Sequence, residues 1–116
     1  WFDCGQKDII LQTNRNLLKR VDQQAFVKFD KGNIIVPPVY ISPTAVVVNS
    51  IIGPDVSIGD GAVITQSMLK NSIIGQGAEL NNAILEDSLI GADAILVGAA
   101  SSLNIGDSAE INLRNS

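Results

Sequence analysis

Small residues recur in three columns through the C-terminal two-thirds of the chain, and each is followed two positions later by an aliphatic one. Ala45, Ala62, Ala78 and Ala94 form the first column, with steps of 17, 16 and 16. Ser50, Ser67, Ala83 and Ala99 form the second with the same steps, and Val56, Ser72 and Ser88 form the third with steps of 16. The aliphatic partners are Val47, Ile52, Ile58, Ile64, Leu69, Ile74, Leu80, Leu85, Ile90 and Leu96. Side chains alternate faces along a strand, so a small residue and the aliphatic two later point the same way, here inward. Five or six residues separate successive aliphatics, too few for an intervening helix but enough for a two-to-three-residue strand and a bend. Each circuit therefore has three short sides. The pattern predicts a mainly β chain wound as a triangular parallel β-helix of about four turns, which is enough repeats to bury a continuous core.

Gly53, Gly59, Gly75, Gly91 and Gly106 follow aliphatic residues directly, and Asn81 occupies an equivalent place. These positions are expected to be corners in the left-handed backbone region, which glycine and asparagine enter most readily. The register slips after Leu96, where residues 98–104 supply no clean third aliphatic, so an irregular corner or short outward loop is expected there.

Residues 1–33 have a different texture. Ile10, Leu11, Leu17, Leu18 and Val21 recur at seven-residue spacing and place one apolar stripe on a helix over 6–21. Lys19 and Arg20 suit the negative end of its dipole. Phe26 and Phe29 precede Asp30-Lys-Gly-Asn33, a turn signal, and Ile34 to Tyr40, interrupted by Pro37-Pro38, leads into the first circuit. The chain thus divides into residues 1–33 and a coil over 34–116.

Composition narrows the function. A hydrophobic content of 46% with only 4% aromatic suits a narrow bore filled by Ile, Leu, Val and Ala. Apolar runs fall far short of the roughly 20 residues that span a bilayer, so no membrane partner is expected. The lone Cys4 makes no internal disulfide, and nothing at the start reads as a signal peptide, which points to the cytoplasm. A net charge of −4, without a basic cluster and with a single Trp, excludes a nucleic-acid groove. The chain has no histidine, and no serine or threonine has an evident base to activate it. Ser50, Ser67, Ser72 and Ser88 read as small core residues at the corners.

The residue between each inward pair faces out. One face presents Ile51, Met68 and Ile84, and a second presents Ile73 and Leu89 beside Ser57. Monomers rarely expose contiguous apolar patches beyond a few hundred Å². Ile51, Met68, Ile84, Ile73 and Leu89 are therefore expected to form an interface. Its occupant would be a symmetry-related chain in a homodimer or homotrimer, the helix 6–21, or a catalytic domain.

The units Ile52-Gly-Pro-Asp-Val-Ser, Ile58-Gly-Asp-Gly-Ala-Val, Ile74-Gly-Gln-Gly-Ala-Glu and Ile90-Gly-Ala-Asp-Ala-Ile resemble the hexapeptide repeat of left-handed β-helix proteins. The resemblance implies a left-handed coil over roughly residues 35 to 112. Hexapeptide acyltransferases use a histidine base and the carbonic anhydrase on this fold binds zinc through histidines, so neither chemistry is available here. Trp1-Phe-Asp-Cys-Gly5, followed by Leu11-Gln-Thr-Asn-Arg15 and Leu17-Leu18, resembles the end of the catalytic domain in sugar-1-phosphate nucleotidyltransferases, and most closely the glucose-1-phosphate thymidylyltransferase type. Many of that family append a left-handed β-helix. The resemblance implies that residues 1–33 are a remnant of such a domain plus a linker helix.

By that resemblance Asp3 is one of two acidic ligands for the Mg²⁺ that bridges sugar phosphate and nucleotide in the parent enzyme. Its partner ligand and the family's Gly-rich triphosphate loop are not in this chain, and a lone carboxylate holds Mg²⁺ poorly. No cofactor and no activity are expected of the 116 residues alone. The leading expectation is a non-catalytic assembly or regulatory domain, missing its N-terminal catalytic domain. The parent would form a nucleotide sugar and pyrophosphate from a nucleoside triphosphate and a sugar 1-phosphate. The alternative is a hexapeptide-repeat acyltransferase, which accounts for the coil but not for Trp1 to Leu18. A purely structural or ice-binding coil would want rows of Thr-x-Thr, which Thr13, Thr44 and Thr65 do not provide.

Overall fold

The computed structural model describes residues 4–21, 32–98, 104–106 and 110–112. It opens with one helix, α1 (Cys4–Leu18), followed by fourteen short strands. The first coil is β1 (Ile34–Ile35), β2 (Val39–Ile41) and β3 (Val46–Val48), and the second is β4 (Ile51–Ile52), β5 (Val56–Ile58) and β6 (Val63–Thr65). The third is β7 (Met68–Lys70), β8 (Ile73–Ile74) and β9 (Glu79–Asn81), and the fourth is β10 (Ile84–Glu86), β11 (Leu89–Ile90) and β12 (Ile95–Val97). Two strands of a further coil, β13 (Asn104–Ile105) and β14 (Glu110–Asn112), continue it.

Equivalent sides stack in parallel to make three sheets, ordered β1-β4-β7-β10, β2-β5-β8-β11-β13 and β3-β6-β9-β12-β14, here called faces A, B and C. The molecule is a parallel β-helix of about four turns preceded by one helix, as the columns predict. All ten predicted aliphatic partners are buried, with the small columns beside them. Val39 and Ile41 extend the core into the first coil.

Coil length changes without loss of pairing. Ile51 pairs with Met68 at a step of 17, Ile73 with Leu89 at 16, and Ile90 with Ile105 at 15. The last step places the slip expected after Leu96 between β12 and β13, although residues 99–103, the expected loop itself, lie outside those described.

The corners differ from expectation in which residues turn. Gly53 has φ +101°, but Gly59 and Gly75 do not have a positive φ, and Asn81 lies in β9. The left-handed conformation instead falls on Asn49, Gln66 and Asn82 after face C, on Asp55, Asn71 and Asp87 after face A, and on Gly61, Gly77 and Asp93 after face B. Gly59 and Gly75 are glycines for another reason. A Cβ on Gly59 would lie 2.8 Å from the Gln76 nitrogen, and one on Gly75 would lie 2.6 Å from the Ala92 nitrogen, so each clears the backbone of the next coil.

The helix begins two residues before and ends two residues before the predicted Gln6–Arg20 core. Tight turns from Arg20 to the Leu17 carbonyl and from Val21 to the Leu18 carbonyl close it. Leu11 and Leu18 are buried and Val21 packs against the coil's core. Leu17, expected on the same stripe, faces out.

Candidate functional site

The corner serines are committed to the backbone. Ser67 donates its hydroxyl to the Thr65 carbonyl at 2.9 Å and accepts the Ala83 N–H at 3.1 Å. Ser50 does the same one coil earlier, donating to the Val48 carbonyl at 2.9 Å and accepting the Ser67 N–H at 3.1 Å. Asn33 starts this ladder: its Oδ1 accepts the Ser50 N–H at 2.8 Å and its Nδ2 donates to the Val47 carbonyl at 3.0 Å. In the third column Ser72 donates to the Lys70 carbonyl and accepts the Ser88 N–H, while Ser88 donates to the Glu86 carbonyl. These hydroxyls satisfy buried backbone groups that would otherwise be costly, and each has a stable partner on both sides. That is a structural ladder, the arrangement opposite to an activated nucleophile.

The polar side of α1 is tied to the coil. Asn14 accepts the Ser57 hydroxyl at 2.5 Å through Oδ1 and reaches the Asp55 carbonyl at 3.4 Å through Nδ2. Arg15 donates to Asn71 Oδ1 at 2.9 Å, and Asn71 passes its own Nδ2 to Asp87 Oδ1 at 2.5 Å. The helix is therefore fastened to face B and to the A-to-B corners by side chains on both partners. Another corner is braced by Ser42, which donates to Asp60, and by Thr44, whose Oγ1 accepts the Gly61 N–H at 3.0 Å.

Face A carries an apolar ladder. Ile34, Ile51, Met68 and Ile84 pair in register from coil to coil, and Ile34, Met68 and Ile84 are about half exposed or more. Lys70 and Glu86 flank it 3.9 Å apart, an exposed ion pair that adds little stability. Ile34 was not among the expected interface residues, although it stands 17 before Ile51 at the column spacing of the first coil. Asn33 stands 17 before Ser50 and was legible by the same extension.

On face B, Ile73 is half-buried beside α1 and Leu89 is only 9% exposed. The structure thus brings Ile51, Met68 and Ile84 together on one open face, and sets Ile73 and Leu89 on another that is largely covered within the chain. Asp3, the expected metal ligand, lies outside the described residues, as does the rest of Trp1–Asp3. Among the described residues no group of three or more His, Cys, Asp or Glu side chains stands close enough to hold a metal ion. No helix of the described residues is long and apolar enough to cross a membrane.

The family model for the GlmU-like C-terminal hexapeptide domain matches residues 19–107, which include every complete coil. The chain belongs to that hexapeptide family. No curated protein sequence matches it. Among solved structures it is similar to the acetyltransferase domain of PglB from Neisseria gonorrhoeae FA1090, at 22% identity over 67% of this chain and 48% of that one, with a TM-score of 0.37. The same domain in complex with acetyl coenzyme A matches at 21% identity over 71% of this chain and 52% of that one, with a TM-score of 0.35. This hexapeptide chain spans about half the length of those domains.

Proposed function

We propose that this chain is the non-catalytic β-helix domain of a sugar-1-phosphate nucleotidyltransferase, which makes a nucleotide sugar and pyrophosphate from a nucleoside triphosphate and a sugar 1-phosphate. The observation that carries the non-catalytic part is the commitment of the buried corner hydroxyls to backbone ladders in a chain without histidine. The parent activity is supported by the Trp1-Phe-Asp-Cys-Gly5 and Leu11-Gln-Thr-Asn-Arg15 segments, the second of which forms the helix fastened to the coil. In the parent, Asp3 would supply one carboxylate to Mg²⁺, whose chemistry is to neutralise the phosphates during transfer.

The test is to express the whole reading frame and the 116-residue chain, each with Mg²⁺, nucleoside triphosphates and hexose 1-phosphates. Pyrophosphate is expected from the first and none from the second. A reading frame that starts at a methionine close to Trp1 would remove the catalytic domain and with it this reading. Release of free coenzyme A from acyl-coenzyme A by the chain alone would install the acyltransferase in its place.

We also propose that face A is covered by a second copy in a dimer or trimer. Burying Ile34, Ile51, Met68 and Ile84 contributes roughly 6–12 kcal/mol at about 1.5–3 each, against an association cost of about 4–15 kcal/mol. Ile84→Asp puts a carboxylate in the middle of that contact and is expected to shift the protein to monomer in light scattering, with its circular dichroism unchanged. A wild-type monomer, or an Ile84→Asp oligomer of unchanged mass, would reject it.

A further inference from the structure

The side of α1 turned away from the coil is not polar. Ile9 and Leu17 are 64% and 57% exposed, and with Thr13 between them they fall at i, i+4 and i+8 on one stripe. Beside that stripe runs a shallow groove lined by Ile9, Ile10, Thr13, Asn14, Leu17 and, from β8, Ile73. No lining residue is charged. A helix that only faces water normally carries its charges on that side.

The helix also has a direction along the coil. Asn14 stands on Ser57 of the second coil, whereas Ile9 and Ile10 border Ile73 of the third. Stacked strands lie about 4.8 Å apart and a helix rises about 1.5 Å per residue, so roughly three helical residues span one coil. The chain in α1 therefore runs against the order of the coils, and its start falls beside the fourth, where Leu89 is already covered. Whatever precedes Cys4 leaves the helix on that flank, five residues and roughly 8 Å from Ile9.

We infer that the Ile9–Thr13–Leu17 stripe and the groove to Ile73 are the seat of the domain that precedes the helix in the intact protein. The inference rests on the proposed function for the existence of that domain. Chain continuity selects this occupant over a second copy: a body tethered directly to Cys4 meets the groove at an effective concentration of about a millimolar or more. The patch it presents is apolar and without charge, matching the groove.

Hydroxyl-radical footprinting of the intact protein reads this seat, with rates normalised to each side chain's intrinsic reactivity. Val46, 49% exposed on face C, is the internal comparator. Ile9 and Leu17 are expected to be labelled severalfold more slowly than Val46, with no change on tenfold dilution. Labelling as fast as Val46 would leave the seat empty and overturn the inference. Protection that disappears on dilution would overturn it in favour of a second copy. Pyrophosphate release from the same sample separates the two readings: protected Ile9 and Leu17 without pyrophosphate keep the seat and discard the nucleotidyltransferase.

Discussion

Gly75→Ala is expected to destabilise the coil by about 3 kcal/mol or more, at the upper end of what overpacking costs. The added Cβ would lie 2.6 Å from the Ala92 nitrogen, 2.7 Å from the Gly91 carbonyl carbon and 3.0 Å from the Ala92 Cα. All three are backbone atoms, so no side chain can rotate out of the way. Relief requires the fourth coil to lift from the third, which strains the Gly75 N–H bond to the Ile90 carbonyl at 2.8 Å and its neighbours. Gly61→Ala is the control. Gly61 has φ +69° with open space around a Cβ, so its cost is the left-handed conformation alone, about 1–2 kcal/mol. Urea unfolding followed by circular dichroism compares them. A Gly75→Ala midpoint at or above that of Gly61→Ala would refute the clearance argument.

Leu80→Ala is expected to cost about 2–5 kcal/mol, the range for truncating a buried leucine. Leu80 is 1% exposed and stacks in register between Ile64 of the second coil and Leu96 of the fourth. The cavity would open in the middle of the column, where neighbouring coils hold each other apart and collapse is difficult. Coil stability is close to a sum of nearest-neighbour contacts, so a mid-column loss weakens two interfaces at once. Against a typical total of about 5–15 kcal/mol, that is a large share. A Leu80→Ala urea midpoint no lower than that of Met68→Ala, on the open face, would show that the stacked column is not what holds the coil.

The inward columns were legible because a two-residue offset between small and aliphatic side chains is set by the strand itself. Corner conformation was not, because glycine marks two different needs with the same letter. Gly61 and Gly77 take the left-handed turn, whereas Gly59 and Gly75, two positions earlier in the same corners, clear the next coil. Asn, Asp and even Gln66 fill most of the remaining left-handed positions, and their local hydrogen bonding leaves no spacing that a linear reading isolates. The serines were readable as small but not as ladder rungs, since a rung depends on the residue 16 or 17 further on. Helix α1 was readable from its apolar spacing. Its attachment through Asn14 and Arg15 was not, because the partners Ser57 and Asn71 lie 43 and 56 residues away.

Coils of 17, 16 and 15 residues share one set of ladders, so the pitch is held by the strands and the corners absorb the difference in length. Evolution can therefore shorten or lengthen a bend one residue at a time without retuning the side chains on either sheet. Whole circuits can be duplicated in the same way, each new one finding a ready template on the last. The molecule is a ruler whose divisions are fixed by hydrogen bonds, and its reach along the axis grows by about 4.8 Å with every circuit added.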